Sequence, residues 1–584
     1  MKNKLLILLT LMFLTPFVVD AEELKMDWQK NWGGSDVEKI EVALPTEDNG
    51  IVVIGQTRST DINDLTYSGG FYDALIVKFD KNGNLLWEKL WGGNGLDCFY
   101  NILQTEDGGF IIVGETNSTD IEDIQNKGSY DAIIVKYDKD GNLLWQKNWG
   151  GSDDEEFYDL YFFDDDSFIV MGVSWSDNME GLPNKGDRDA IIVKYDKDGN
   201  MLWQKSWGGD KYDYFHSVIS ALDGGFIMVG ESNSNDIEDI QNKDSYDAII
   251  VKYDKDGNML WQKSWGGDKH DHFFSVISAL DGGFVIVGKT RSNDIEDVQN
   301  KGFYDAIIVK YDKDGNLLWQ KSWGGSEEDS FNDLYFLDDG SFIAMGISGW
   351  SDAIIIKYDK DGNLLWQSSY GNEAYQRINS SIIDRKGNLI VCIESYFIDE
   401  GEYYNGDEDV IIISYDKNGN MLWQKNWDGG NADRAKNLFI TEDNSLFVLG
   451  DMGMSTSSDD NIFILKYSYE YDLENVTTEN GMATAVQQGP KGIITPTPNE
   501  GYEVDTIIIK DKNGEVLDLE VTKLEDGTYS FDLFTDVSVE VTFKEKIENP
   551  KTGILDIIAI LFIGAVISIC GFILVKRYNE RYEI

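Results

Sequence analysis

One segment recurs along this chain and limits what it can fold into more than any other feature. In one copy it reads Tyr130-Asp-Ala-Ile-Ile-Val-Lys-Tyr-Asp-Lys-Asp-Gly-Asn-Leu-Leu-Trp-Gln-Lys-Asn-Trp-Gly-Gly151. The last aromatic residue of the segment stands at Trp32, Trp91, Trp149, Trp207, Trp265, Trp323, Tyr370 and Trp427, at spacings of 47 to 59 residues. A period of this length means an array of like units, each too small to bury a core alone. Every unit breaks into four short runs rich in Ile, Val, Phe, Tyr and Trp. In one copy these are 99–105, 110–116, 131–138 and 142–149, separated by Asp107-Gly108-Gly109, a long loop, and Lys139-Asp140-Gly141. Such runs between Gly, Asp and Asn turns predict strands, with a tight hairpin joining the last two.

Counting the copies predicts the architecture. Third-run copies begin at Asp73, Asp131, Asp189, Asp247, Asp305, Asp352, Asp409 and near Asp460. Fourth-run copies carry Trp28, Trp87, Trp145, Trp203, Trp261, Trp319, Trp366 and Trp423. Both sets number eight, yet a fourth run (27–32) opens the array and a third run (461–467) ends it. If the N-terminal strand completes the last unit, no sheet edge stays open at the seam. The expectation is an all-β protein whose residues 26–468 form an eight-bladed β-propeller closed by an N-terminal strand. A linear solenoid or two smaller rings are the alternative arrangements. Fifteen of the 17 Trp residues fall in fourth runs, as Trp-x-x-x-Trp except where Tyr370 stands second. Positions i and i+4 share one face of a strand, which predicts packing of one unit on the next, with sugar stacking as the alternative role.

The units resemble bacterial secreted β-propeller repeats with the pattern Gly-Gly-Phe-Ile-x-x-Gly, Asp-Ala-x-x-Val-Lys-Tyr-Asp, Gly-Asn-x-x-Trp. The Trp-bearing strand is also similar to that of quinoprotein-type propellers. This resemblance implies the fold and leaves the function open, because one fold serves many functions.

Both ends read as addresses. Residues 1–21 join Lys2 and Lys4 to an apolar run and end in Val19-Asp20-Ala21, the pattern of a cleaved signal peptide. At the other end, Asn549-Pro550-Lys551-Thr552-Gly553 precedes an apolar span, 554–575, and a basic tail, 576–584, with Lys576, Arg577 and Arg581. This order resembles the sorting signal of Gram-positive cell-wall-anchored proteins, with Asn549 where the commonest LPxTG-like motif has Leu. The resemblance implies a sortase that cuts after Thr552 and joins its carboxyl to peptidoglycan. A permanent single-pass anchor is the alternative, and both readings place residues 22–548 outside the cell. Residues 471–545 lack the Trp repeat and predict a small β domain. This domain resembles the internalin-type B-repeat, which implies a stalk or accessory module.

Acidic residues number 105 against 50 basic ones, for a net charge of −55. That argues against nucleic-acid binding and against docking on anionic lipid, so membrane contact is expected only through 554–575. Three cysteines (Cys98, Cys392 and Cys570) offer neither a disulfide framework nor a Cys-rich zinc site. Long acidic loops follow the second strands. Their Asp120, Asp123, Asp236, Asp239, Asp294 and Asp297 are candidate Ca²⁺ ligands, a solvated acidic rim being the plainer alternative. His216, His270 and His272 fall at strand starts in adjacent units, where aromatic-like packing competes with a zinc site. Trp175 and Trp350 stand outside the packing pattern at equivalent places just after a second strand, which makes them candidate ligand contacts.

Near-equal units do not supply the unlike residues that an active site needs, and no Ser-His-Asp elbow or phosphate loop stands out. The expectation is a wall-anchored surface protein, not an enzyme, that displays the array for adhesion to a glycan or protein. The alternatives are a polysaccharide lyase or glycosidase with its constellation in a central funnel, and a structural surface component.

Overall fold

The computed structural model describes residues 23–546 except 64, 164, 180, 183–184, 241, 243–244, 350, 372–374, 400–401, 405–409, 430–432, 453–460, 472, 478 and 513. The signal peptide, the sorting motif from Asn549 to Gly553, the apolar span, the basic tail and Trp350 lie outside the described residues. The chain divides into two compact units between Glu470 and Tyr471. Every element among the described residues is a strand.

Among the described residues of the first unit the strands form eight antiparallel sheets on a four-strand plan, and in all but the last the strands are hydrogen-bonded in sequence order. Sheet 1 covers 38–91, sheet 2 covers 97–149, sheet 3 covers 155–207 and sheet 4 covers 213–265. Sheet 5 covers 271–323, sheet 6 covers 330–370, sheet 7 covers 375–427 and sheet 8 begins at 433. Sheet 7 gains a fifth strand, Glu402–Tyr404, on an extension of Leu389–Asp399. Sheet 8 takes its fourth strand from the start of the chain, because Glu23–Trp32 pairs with Asn461–Glu470. Both strands are longer than the 27–32 and 461–467 expected from the repeat.

Burial follows strand order. In sheet 2 the second strand, Phe110–Thr116, and the third, Asp131–Tyr137, are almost wholly buried, whereas the fourth, Leu143–Trp149, begins exposed. The first strand, Asp97–Gln104, carries a bulge between Phe99 and Asn101. The same bulge recurs in the first strand of every sheet and strengthens its twist. The cores lie between sheets. Ile227, Val229, Ile250 and Trp265 of sheet 4 pack on Phe273, Phe284, Ile286 and Val309 of sheet 5. Ile40, Val53 and Leu75 of sheet 1 likewise pack on Phe447, Leu449 and Ile464 of sheet 8.

The tryptophan pairs join the sheets. The second Trp of each pair donates its indole N–H to a side chain on the fourth strand of the next sheet. These bonds run from Trp91 to Gln146 (2.7 Å), Trp149 to Gln204 (2.8 Å), Trp207 to Gln262 (2.7 Å), Trp265 to Gln320 (2.7 Å) and Trp323 to Gln367 (3.2 Å). Trp427 reaches Gln29 (3.1 Å) and Trp32 reaches Glu88 (3.0 Å). Where Tyr370 replaces Trp the bond reverses, and Gln424 donates to the Tyr370 hydroxyl at 3.2 Å. The first Trp covers the next sheet's hairpin glycine. Gly141 sits at φ +79°, and a Cβ there would lie 2.6 Å from the Trp87 ring.

In the second unit Leu473–Thr477 pairs in parallel with Val537–Glu545, which also pairs antiparallel with Tyr502–Asp511. A second sheet joins Gly481–Gln488, Lys491–Pro498, Tyr529–Asp532 and Thr522–Lys523. Ile494, Ile509, Phe531, Val539 and Val541 are buried in this unit.

Candidate ligand-binding tract on the inner strands

Strand register gathers four strand ends at one end of every sheet. Asp97 pairs with Thr116 and Thr116 with Asp131, while Ala132 pairs with Trp149. A repeated lock closes this end. The Asp97 carboxylate accepts from Gly93 N and Ser118 Oγ (2.9 and 2.7 Å) and from Thr116 Oγ1. Asp271 does the same with Gly267, Ser292 and Thr290.

One step further in, the symmetry breaks. Facing residues of the first and second strands are Lys39 and Gln56, Cys98 and Glu115, Glu156 and Val173, and Tyr214 and Glu231 in sheets 1 to 4. In sheets 5 to 8 they are His272 and Lys289, Ser330 and Ile347, Arg377 and Glu394, and Arg434 and Asp451. Near-identical units therefore carry unlike chemistry at a single register.

These residues meet across sheet boundaries. Cys98 Sγ donates to Gln56 at 2.8 Å, and Arg434 Nε lies 2.9 Å from Glu394. Tyr100 donates to Glu115 at 2.6 Å. Burial, with Glu156 and Asp154 nearby, pushes the Glu115 carboxyl up to about 7. Glu231 is held by two imidazoles: His272 Nδ1 contacts its carboxylate and His216 Nε2 lies 3.4 Å from it. Burial alone would raise Glu231, but the two imidazoles outweigh it and hold the carboxyl well below the usual range.

Around this pair, aromatic rings run without a break over sheets 3 to 5. Tyr158 stacks on Tyr214 (4.7 Å between centroids), Tyr214 meets His216 (4.7 Å), and His216 meets Phe274 (5.4 Å). His272 continues the run to Phe274, Tyr246 and Tyr304, and His270 stacks on Tyr246 at 5.7 Å. Cations lie over these rings. Lys289 sits 4.4 Å from the Tyr304 centroid while pairing with Glu328 (2.9 Å), and Arg291 sits 4.4 Å from Phe303. Arg188 lies 5.2 to 5.5 Å from Trp175, Tyr212 and Tyr214.

Of the residues singled out in the sequence, Trp175 stands at one end of this tract and the three histidines stand within it, packed as aromatic rings. The acidic loops lie at the same end of the sheets. Asp120, Asp236 and Asp294 each accept a backbone N–H from the preceding loop, at Asn94 (2.8 Å), Asp210 (2.7 Å) and Asp268 (2.8 Å). Asp123, Asp239 and Asp297 occupy left-handed turn positions with φ of 61° to 63°. Among the described residues no group of three or more His, Cys, Asp or Glu side chains is placed to hold a metal ion. Sequence reasoning missed Arg188, Glu231, Lys289 and Tyr246. The signal was available only by lining up the units and asking where they differ.

A family model agrees with the repeat architecture. Residues 246–522, just under half the chain, match the family described as outer membrane protein assembly factor BamB. A regulatory protein of Caulobacter vibrioides, FlaEY, is 26% identical over 200 residues, covering 32% of this chain. The chain spans only 20% of that relative's length. Among solved structures, Sqt1 from Chaetomium thermophilum aligns with 77% of the chain and all of its own at 12% identity and a TM-score of 0.40. The WD40 domain of SCAP from fission yeast aligns with 77% of this chain and 98% of its own at 8% identity and a TM-score of 0.39. The repeated four-stranded antiparallel sheets and the match over residues 246–522 support a β-propeller repeat protein, similar over that stretch to the PQQ-like family.

Proposed function

We propose that this is a cell-surface binding protein: an eight-bladed ring, closed by its N-terminal strand, that captures an extracellular glycan or protein on the tract spanning sheets 3 to 5. The observation that carries the reading is the change of residue type at one register: residues that pack sheet on sheet repeat, whereas the facing pairs of the first and second strands differ from sheet to sheet. Closure is supported by the bonds from Trp427 to Gln29 and from Trp32 to Glu88, which repeat the other junctions at the seam. Stacked rings with cations and paired acids suit recognition by stacking and directed hydrogen bonds.

The sorting signal and signal peptide support display on a Gram-positive wall through Thr552, with the small β unit as spacer. Mass spectrometry of wall fragments tests this, with a peptidoglycan-linked peptide ending at Thr552 as the expected product. Function is tested by screening the protein against immobilised glycans and matrix proteins while assaying released sugars. Saturable binding without product supports the proposal, and product formation overturns it. One observation favours an enzyme as the second reading. Glu231 holds His272 by Nδ1, the way a carboxylate orients an imidazole for proton transfer.

A further inference from the structure

Sheet 3 departs from its neighbours at two adjoining positions. The residue just before the third strand is Tyr72, Tyr130, Tyr246 and Tyr304 in sheets 1, 2, 4 and 5, and Arg188 in sheet 3. The residue just after the second strand is Asn117 in sheet 2 and Asn233 in sheet 4, each accepting a loop N–H, from Leu96 and Tyr212. In sheet 3 it is Trp175, which cannot make that bond. The two exchanges lie side by side, with the Arg188 guanidinium 5.3 Å from the Trp175 ring.

Arg188 is fixed from behind. Its backbone N–H donates to Lys211 (3.1 Å), its carbonyl accepts from Asp213 (2.9 Å), and Tyr212 and Tyr214 lie beside its guanidinium. Unlike two other arginines at this end of the sheets, it makes no ion pair among the described residues: Arg58 pairs with Asp36 at 2.7 Å and Arg434 with Glu394 at 2.9 Å. Its Nε is buried without a hydrogen-bond partner. Tyr212 is exposed and Trp175 is half-buried next to it. A guanidinium lying over aromatic rings can still offer N–H groups to a planar or tetrahedral anion, and indole and phenol faces suit the C–H face of a sugar.

We infer that Trp175, Arg188 and Tyr212 form a subsite for an acidic saccharide, the sugar ring lying on the aromatic rings and its carboxylate or sulfate meeting Arg188. This rests on the binding reading above and names its ligand class. A chain of net charge −55 has no general attraction for anions, so a preference for an acidic sugar over a neutral one reports the local site.

The test is calorimetric titration of the purified full chain with four probes: oligogalacturonate, dextran sulfate, neutral dextran and polyglutamate. Expected is binding of oligogalacturonate or dextran sulfate at least about tenfold tighter than dextran, the size of one charge-assisted contact. Which of the two binds tighter identifies the anion. Arg188→Gln should bring the affinity for the acidic saccharides down to that for dextran, and Tyr212→Ala, at an exposed position, should weaken every saccharide. Should Arg188→Gln fail to fold, Arg188→Lys keeps the charge without the two-pronged edge and should reduce the preference. Equal affinity for dextran and the acidic saccharides overturns this inference while leaving the binding reading intact. Binding of polyglutamate as tight as either acidic saccharide overturns it in favour of a peptide partner. No saccharide binding at all overturns this inference and leaves a protein as the ligand of the binding reading.

Discussion

Trp427 donates its indole N–H to Gln29, a residue 398 positions earlier in the chain, at 3.1 Å. The same bond joins Trp91 to Gln146 and Trp207 to Gln262, so the junction containing the N-terminal strand is made like any other. Trp427 is 7% exposed, so its replacement removes buried area as well as the bond. Trp427→Phe should cost about 1 kcal/mol, the worth of one hydrogen bond. Trp427→Ala should cost about 3–5 kcal/mol, as for other large-to-small core changes. Denaturant unfolding measures both, and a Trp427→Ala protein that unfolds like the parent would sink the account.

The hairpin glycines offer a second test. Gly141 has φ +79°, and a Cβ would strike the Trp87 indole. Gly141→Ala should lower stability by about 1–3 kcal/mol, combining left-handed strain with displacement of the ring. Gly224 has a similar φ of +81° but no atom within 4 Å of its Cβ position. Gly224→Ala should therefore cost only the backbone part, about 1–2 kcal/mol. Equal losses at the two sites would rule out the indole contact as the cause.

Acidity should stabilise the fold over part of the pH range. Burial pushes Asp73 and Asp159 up to about 6 and Glu115, Asp189 and Asp451 up to about 7. Between about pH 4 and 7 the folded chain binds these protons more tightly than the unfolded chain, so stability falls as pH rises through that window. Asp107 and Glu231 are shifted down and act in the opposite sense, losing their contribution as pH falls below about 4. The unfolding temperature should thus peak near pH 5 and be lower at pH 8. Asp189→Asn should flatten the slope between about pH 4 and 7. A melting temperature that climbs steadily from pH 5 to 8 contradicts this.

Chelation tests the acidic loops. Asp236 spends a carboxylate oxygen on the Asp210 N–H at 2.7 Å, a bond that needs no ion. EDTA should leave the unfolding temperature unchanged, while Asp236→Ala should cost about 1 kcal/mol with or without EDTA. A fall in melting temperature on chelation, restored by Ca²⁺, would return calcium to these loops.

The strands and the role of the tryptophans were legible because every unit restates them. Eight copies of Trp-x-x-x-Trp, one ending in Tyr370, leave little room for a ligand-specific role, and each pair bonds or covers the next sheet. Strand ends were less visible. The first strand of sheet 2 starts at Asp97 and not Phe99, because the Asp97 and Thr116 side chains lock the loop end in a way hydrophobic periodicity does not show. The tract was hidden for the opposite reason. The histidines stood out as the only three in the chain, but Glu231 and Arg188 are single members of a large charged population. Their proximity to His272 and Trp175 comes from register and from the neighbouring sheet, neither of which a linear reading supplies.

The pairing of Glu23–Trp32 with Asn461–Glu470 also sets an order of events. The first described strand has its partner in the last sheet of the array, so it can pair only once that sheet has been made. Until then both partners present unpaired backbone, and the contact that joins them has the longest loop in the molecule to close. A chain halted before residue 461 would hold a complete set of junction tryptophans and still have an open end. Completion of that sheet therefore requires a chain made at least through the strand that begins at Asn461.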